Sequence, residues 1–443
     1  MFNLTKDYAI SIGGVNVSSH SAIRQWLEST KINGMALGLE NTFSILSSLN
    51  IDLSNTQIIH VAGSNGKGTL CSLMAACMSL NNDSNVLFSS PHLCRVEERI
   101  RINGKPVSKK EFDQAIEVVR ISSEKMSIQL TFFETTFLAA MVITSIVKPR
   151  FLILETGLGG RLDATRCAPA DLAILTTISK EHTDVLGNDI YQIIREKAAI
   201  ARPGKPLIAR EMPIPNYQNT VIDCTVNCAK KELGEQPEKV DCKFIKIDDN
   251  YTILQEAELL AREAFAILKI DSAKLLEAKN TVNWPARLQE LDLPSGHRII
   301  LDAAHNPSGL IRVSNELIEM VKSKNIQDKL TLVFGTSPQQ ELEKMLSLVN
   351  DFCRNFSDVE IYLTKPQGGR YPGIEPNDLA TFDWIDCSIQ IIDEVTIAID
   401  NILARKPSDV GTILSIGSLY LQGNILNHLG KNSDDDLHLL PKQ

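Results

Sequence analysis

The chain has 443 residues, 43% hydrophobic and 22% charged, with a formal net charge of −9. That length exceeds what one hydrophobic core usually supports, so two domains are expected. The acidic balance argues against a nucleic-acid or membrane binder, which gathers Lys and Arg into a patch.

The N-terminus, MFNLTKDYAISIGG, lacks the apolar core of a signal peptide. The first β-rich runs follow: QIIHVA (57–62), NVLF (85–88), FLILE (151–155), LAILTT (172–177) and PLIA (206–209). Amphipathic stretches alternate with them, the pattern of a parallel α/β sheet. Ser108-Lys109-Lys110-Glu111 and Thr131-Phe132-Phe133-Glu134 match the capping-box pattern of helix starts. The longest apolar run, FLAAMVITSIV (137–147), is too short to span a bilayer and reads as a buried helix.

Cys224 and Cys228 have no second pair at zinc-ribbon spacing, and the nine cysteines form no paired CxxC pattern. They read as free thiols of a reducing cytosol, so a cytoplasmic location is expected. The stretch NWPARLQELDLPSGH (283–297), with two prolines and a glycine, reads as a linker. It sets the domains at 1–293 and 294–443, joined near residue 294. A second alternation follows: RIILD, KLTLVFG, VEIYLT, IQIID and GTILSIG, with helical patterns at 307–323 and 394–405. The tail, GKNSDDDLHLLPKQ, is polar and is expected to fray.

Chemistry enters at HVAGSNGKGTL (60–70), between the strand QIIHVA and a helix beginning KGTL. This is the setting of a P-loop ATPase-type phosphate loop. Gly63, Gly66 and Gly68 let the backbone curl so that N–H groups, including those of Ser64, Asn65 and Thr69, converge on phosphate oxygens. The helix N-terminus and Lys67 add positive charge. Such loops normally place Ser or Thr directly after the Lys to hold magnesium; here Gly68 stands there and Thr69 comes one position late. The ion therefore needs oxygens from elsewhere. Glu155, ending FLILE, faces the crevice at the carboxyl ends of parallel strands, and Ser89 or Ser90 in SSPHL offers a hydroxyl.

HVAGSNGKGT, SSPHL, ERIRINGK, TFFETT, ETGLGGRLDATR, EHTDVLG, REKAAI, WPARLQ, LDAAHNP and GSLYLQG occur in that order between about residues 20 and 425. Together they resemble the folylpolyglutamate synthase and dihydrofolate synthase family, a branch of the Mur ligases. The resemblance implies a P-loop ATPase-type N-terminal domain and a smaller, Rossmann-like C-terminal α/β domain. It implies magnesium held by Ser90, Glu155 and His182, and a carbamate on Lys197. Arg287, Asp302 and His305 would reach ATP, and Phe133 and Glu134 would lie near a pterin pocket. The implied reaction is ATP-driven amide ligation of dihydropteroate or a reduced folate to L-glutamate through an acyl phosphate, in a cytoplasmic monomer. Lys67, Lys197 and His182 would carry the chemistry. Three departures stand out: Glu181 where the family has Asp, Ala303 where it has Gly, and TSPQQELEKM after LVFG where Asp-Lys-Asp is common. A peptidoglycan-type ligase acting on a UDP-MurNAc peptide shares the loop chemistry. A nucleotide-binding regulatory module is a further alternative, against which the second α/β domain argues.

Overall fold

A computed structural model describes residues 20–34, 38–227, 241–248, 250–323, 328–369 and 372–440. The N-terminal stretch read above, up to residue 19, and Cys228 lie outside them. The described residues divide between two compact units. The first takes in Met1–His92, Val96–Val282 and His438–Gln443; the second takes in Leu93–Arg95 and Asn283–Leu437.

The first unit is built on an eight-stranded sheet among the described residues. Its strands are β1 (Gln57–Ala62), β2 (Asn85–Phe88), β3 (Ile100–Ile102), β4 (Lys105–Pro106), β5 (Phe151–Glu155), β6 (Leu172–Leu175), β7 (Leu207–Arg210) and β8 (Cys242–Ile245). The order across the sheet is β4-β3-β2-β5-β1-β6-β7-β8, parallel from β2 to β8. Runs such as QIIHVA and FLILE are apolar without alternation because helices cover both faces of a parallel sheet. Parallel pairing also brings the carboxyl ends of β1, β2, β5 and β6 to one edge, where the loops carrying the candidate residues emerge.

Both expected capping boxes are present. Ser108 Oγ accepts from Glu111 N at 3.2 Å and opens the helix Lys109–Met126. Thr131 Oγ1 accepts from Glu134 N at 3.3 Å and opens Phe132–Val147, which contains the expected buried helix. The stretch RINGK, read only as part of a motif, folds into the antiparallel β3–β4 hairpin. Asn103 (φ 49°) and Gly104 (φ 83°) both adopt the left-handed conformation its tight turn requires.

The second unit holds a six-stranded sheet in the order β13-β12-β11-β14-β10-β9 among the described residues. These are β9 (Gln289–Asp292), β10 (Arg298–Leu301), β11 (Lys329–Phe334), β12 (Asp358–Leu363), β13 (Ser388–Ile391) and β14 (Thr412–Ile416). All neighbours are parallel except β9–β10. That exception corrects the expected linker. Residues around 294 form the hairpin turn between β9 and β10, with Leu293 N bonded to His297 O at 2.8 Å. Pro-Ser-Gly marks a turn inside the second unit, whose main stretch begins at Asn283.

The described part of the tail, up to Leu440, is also corrected: it is anchored rather than frayed. Asp434 pairs with Arg95, and Asn283 Nδ2 donates to Asp436 O at 2.8 Å. Leu437 and Leu439 are fully buried, and Leu439 N donates to Gly104 O at 3.0 Å. The polar composition concealed two apolar anchors among the charges.

Candidate active site of the nucleotide loop

The loop after β1 is bolted to the end of β6. Ser64 N donates to Thr177 O at 2.6 Å, Asn65 N to Thr177 Oγ1 at 3.1 Å, and Thr176 Oγ1 to Asn65 O at 2.8 Å. Thr176 and Thr177 were expected as strand; they leave β6 and spend their hydroxyls on the loop instead. Ser64 Oγ accepts from Ser179 N at 3.0 Å. Gly63 has φ 148°, and a methyl group there would overlap Thr176 Oγ1, so only glycine fits. Gly66 (φ 87°) caps the helix Lys67–Leu80, whose first turn holds Gly68 and Thr69 and leaves N–H groups facing the loop. Lys67 Nζ donates to Gly63 O at 2.8 Å and Ser64 O at 3.2 Å.

Lys197, on the helix Ile190–Ala198, reaches the same carbonyl: its Nζ lies 2.9 Å from Gly63 O and 2.7 Å from Glu181 Oε1. It is 1% exposed, and burial lowers its ammonium below the ordinary lysine range although Glu181 opposes the shift. Burial alone would raise the Glu181 carboxyl, but Lys197 and Lys67 outweigh it and hold it near 2. The longer Glu, standing where Asp was expected, thus reaches Lys197 directly. His182 is exposed, with φ 46°, at the start of the short helix Thr183–Leu186.

At the neighbouring strand end Glu155 is 5% exposed and accepts from Ser90 N at 3.2 Å through Oε2. Ser90 and Glu155 are therefore brought together. Among the described residues no three His, Cys, Asp or Glu side chains gather as a metal cluster. The expected set contains only two such groups, Glu155 and His182, so remaining ligands have to be a hydroxyl, phosphate oxygens and water. A buried carboxylate beside a serine suits a hard cation of the magnesium type.

The turn after Glu155 is tied by Asp163, which the sequence showed only as one letter of ETGLGGRLDATR. Its Oδ2 accepts from Gly157 N and Leu158 N, both at 2.9 Å; its Oδ1 accepts from Thr165 N at 3.1 Å and from Thr165 Oγ1. Thr165 Oγ1 lies 2.7 Å from His60 Nε2 on β1. Arg161 turns away to Glu196, 2.8 Å from Nε. Phe133 packs on this turn: a methyl at Gly157 would lie 2.6 Å from Phe133 Cε2, and the Phe88 ring stands 5.7 Å away. Glu134 is 3% exposed, with Oε2 accepting from Thr131 N and Oγ1 and Oε1 from Thr42 Oγ1, each at 2.8 Å. Its carboxylate is committed to helix capping and to Thr42, whereas Phe133 is half-buried beside the glycine turn.

In the second unit Asp302 follows β10 and is 1% exposed. Its oxygens accept from Ala304 N at 2.8 Å and Leu288 N at 2.9 Å, and burial raises its carboxyl although Arg287 opposes the shift. Ala286 (φ 57°) and Leu288 (φ 49°) are left-handed on either side of Arg287, which is exposed. His305 Nδ1 lies 2.9 Å from Ala303 O. Ala303 is fully buried and its N donates to Ala286 O at 2.9 Å, so a β-carbon is accommodated where Gly was expected. In the segment replacing Asp-Lys-Asp, Gln339 Nε2 donates to His305 O at 3.1 Å and Thr336 Oγ1 at 3.1 Å.

No family model matches the sequence. A dihydrofolate synthase/folylpolyglutamate synthase of Buchnera aphidicola from Schizaphis graminum is 30% identical over 365 residues, 77% of this chain and 84% of the relative. The enzyme of that name from Haemophilus influenzae is 32% identical over 368 residues, 73% and 79% of the two chains. The bifunctional folylpolyglutamate synthase/dihydrofolate synthase of Yersinia pestis, solved with AMPPNP and Mn, superposes with a TM-score of 0.74 at 26% identity, covering 94% of this chain and all of that one. E. coli FolC in complex with DHPP and ADP shares the fold, with a TM-score of 0.76 at 24% identity over 94% and 99% of the chains. By these matches, spanning both units, the chain belongs to the dihydrofolate synthase/folylpolyglutamate synthase family.

Proposed function

We propose that the protein is an ATP-dependent ligase that joins L-glutamate to the carboxylate of a pterin or folate through an acyl phosphate. One observation carries this reading: two lysines, Lys67 and Lys197, meet at the Gly63 carbonyl of a glycine-rich phosphate loop. Family membership favours it over the peptidoglycan-type and regulatory readings.

The substrate carboxylate attacks the γ-phosphorus of ATP; a P–O bond forms to the acid and the bond to ADP breaks. The amine of glutamate then attacks the acyl carbon, phosphate leaves with the C–O bond, and the amine sheds a proton. Each partner is anionic, so the site has to neutralise charge. Lys67 leaves the Gly63 and Ser64 carbonyls for the outer phosphates, and the first-turn N–H groups of Lys67–Leu80 receive phosphate oxygens. Ser90, Glu155 and His182 would hold magnesium, which supplies Lewis-acid charge to those oxygens. Lys197 is the residue for a carbamate: burial favours the neutral amine that adds CO2, and Glu181 has to release it. Phe133 on the Gly157 turn is assigned to the pterin. Asp302, His305 and Arg287 are assigned to the nucleotide from the second unit, making 283–437 the smaller ligase domain.

No described helix is long and apolar enough to cross a membrane, and the described cysteines are free thiols. A cytoplasmic location is consistent with that thiol chemistry.

The test is a product assay by mass spectrometry. With ATP, magnesium and glutamate, the protein is offered dihydropteroate in one tube and a reduced monoglutamyl folate in another. Addition of glutamate in either tube is expected, and addition in both defines a bifunctional enzyme. Intact acid in both tubes overturns the reading.

A further inference from the structure

His60 is a polar residue in the middle of a buried central strand. Its neighbours in β1, Ile59 and Val61, are fully buried, and so is His60 itself. An imidazole in such a place loses its hydration, which costs stability wherever a ring nitrogen finds no partner. Among the described residues Nδ1 finds none, whereas Nε2 lies 2.7 Å from Thr165 Oγ1. An apolar residue would serve packing alone, so that single contact has to account for the ring.

Counting donors assigns the protons along it. Asp163 Oδ2 accepts from the Gly157 and Leu158 N–H groups, and Oδ1 accepts from Thr165 N. Burial raises the Asp163 carboxyl, and these donors together with the Thr165 hydroxyl oppose the shift. A carboxylate so surrounded is an acceptor throughout, so Thr165 gives its one hydroxyl proton to Oδ1. The hydroxyl oxygen then accepts from His60, whose proton sits on Nε2 and whose Nδ1 is left as a bare lone pair. Burial, with Arg202 and Arg166 adding to it, holds the ring well below the ordinary histidine range and therefore neutral.

His60 thus fixes the Thr165 hydroxyl, and with it the plane of the carboxylate that pins Gly157 and Leu158. Gly157 is the residue that lies against the Phe133 ring. We propose that His60 is a positioning residue for the acid substrate: through Thr165 and Asp163 it holds the Gly157 turn against Phe133. The inference rests on the assignment of Phe133 to the pterin given above. One strand would then serve the nucleotide with its end, at Gly63, and the acid with its middle.

Amide hydrogen exchange read by mass spectrometry, with steady-state kinetics of the full chain, tests it. In His60→Leu the peptide over 156–160 is expected to exchange about fivefold faster while the peptide over 64–69 keeps its rate. KM for the pterin acid should rise about fivefold with KM for ATP unchanged. Gln sets an amide N–H where His has Nε2, so His60→Gln should restore both readouts. Thr165→Val should reproduce His60→Leu, and it carries the test where the strand variant does not fold. Faster exchange across the whole first unit without separation of the two KM values overturns the proposal, as does wild-type behaviour in His60→Leu and Thr165→Val. Wild-type protein that consumes neither acid would remove the pterin assignment instead, and the exchange rates would still decide whether His60 holds the turn.

Discussion

Gly63 O serves two ammonium groups at once, at 2.8 Å from Lys67 and 2.9 Å from Lys197. Lys67 gives its protons only to backbone carbonyls and is half-buried, so removing it strands no buried counter-charge. Lys67→Ala is therefore expected to lower kcat/KM for ATP by about 10²–10³-fold, with the thermal transition moved by no more than about 2 °C. A large loss of Tm alongside the activity would reassign Lys67 to holding the loop together. Gly157→Ala probes the other side of the site. Its methyl would press within 2.6–2.7 Å of the Phe133 ring and tilt it. KM for the pterin acid should rise about tenfold while KM for ATP holds, since overpacking of this kind costs about 1–3 kcal/mol. Equal rises in both constants would show that the turn serves the whole site. Lys67 was legible because Gly-Lys-Gly between a strand and a helix has few other uses. His60, Thr165 and Asp163 were not, because their network exists only once β1 and the turn near Asp163 are side by side.

Among the elements, the helix Pro307–Ser323 carries a charge conflict. Burial, together with the nearby Asp302 carboxylate, pushes Glu316 up to about 7, against an opposing pull from Arg312. Glu316 Oε1 is buried without a hydrogen-bond partner. The folded chain thus holds a proton on Glu316 that the unfolded chain releases near 4.5. Stability from this group is full below that pH and is lost as pH rises from about 4.5 to about 7. Glu316→Gln should flatten that slope and raise stability at pH 8 by about 1–2 kcal/mol, as read from urea unfolding at pH 5 and pH 8. Equal effects at the two pH values would show that the carboxylate is not the cause. Periodicity and caps made the helices Lys109–Met126 and Phe132–Val147 legible, since an Ser/Thr-x-x-Glu box is local chemistry. The β9–β10 hairpin was misread because Pro, Ser and Gly mark a chain reversal equally well inside a domain and between domains.

At the scale of the whole molecule, two α/β units followed from two series of strands, but their borders did not. Leu93–Arg95 belong to the second unit and His438–Gln443 to the first. A three-residue exchange and a six-residue return leave no trace in composition. Truncation after Leu437 would remove the fully buried Leu439 and its bond to Gly104 O. It should cost the first unit about 2 kcal/mol, seen as a lower thermal transition with the second unit's transition unmoved. Loss confined to the second unit would contradict that assignment. The return has a bearing on synthesis. A ribosome that has just released Val282 has made nearly all of the first unit's described residues, yet Leu439, which closes it, is made only after the whole second sheet. The nascent unit has to wait, with the Leu439 site open, while the second sheet is made and folds. A chain interrupted between the second sheet and Leu439 would thus be injured in the part that was translated first.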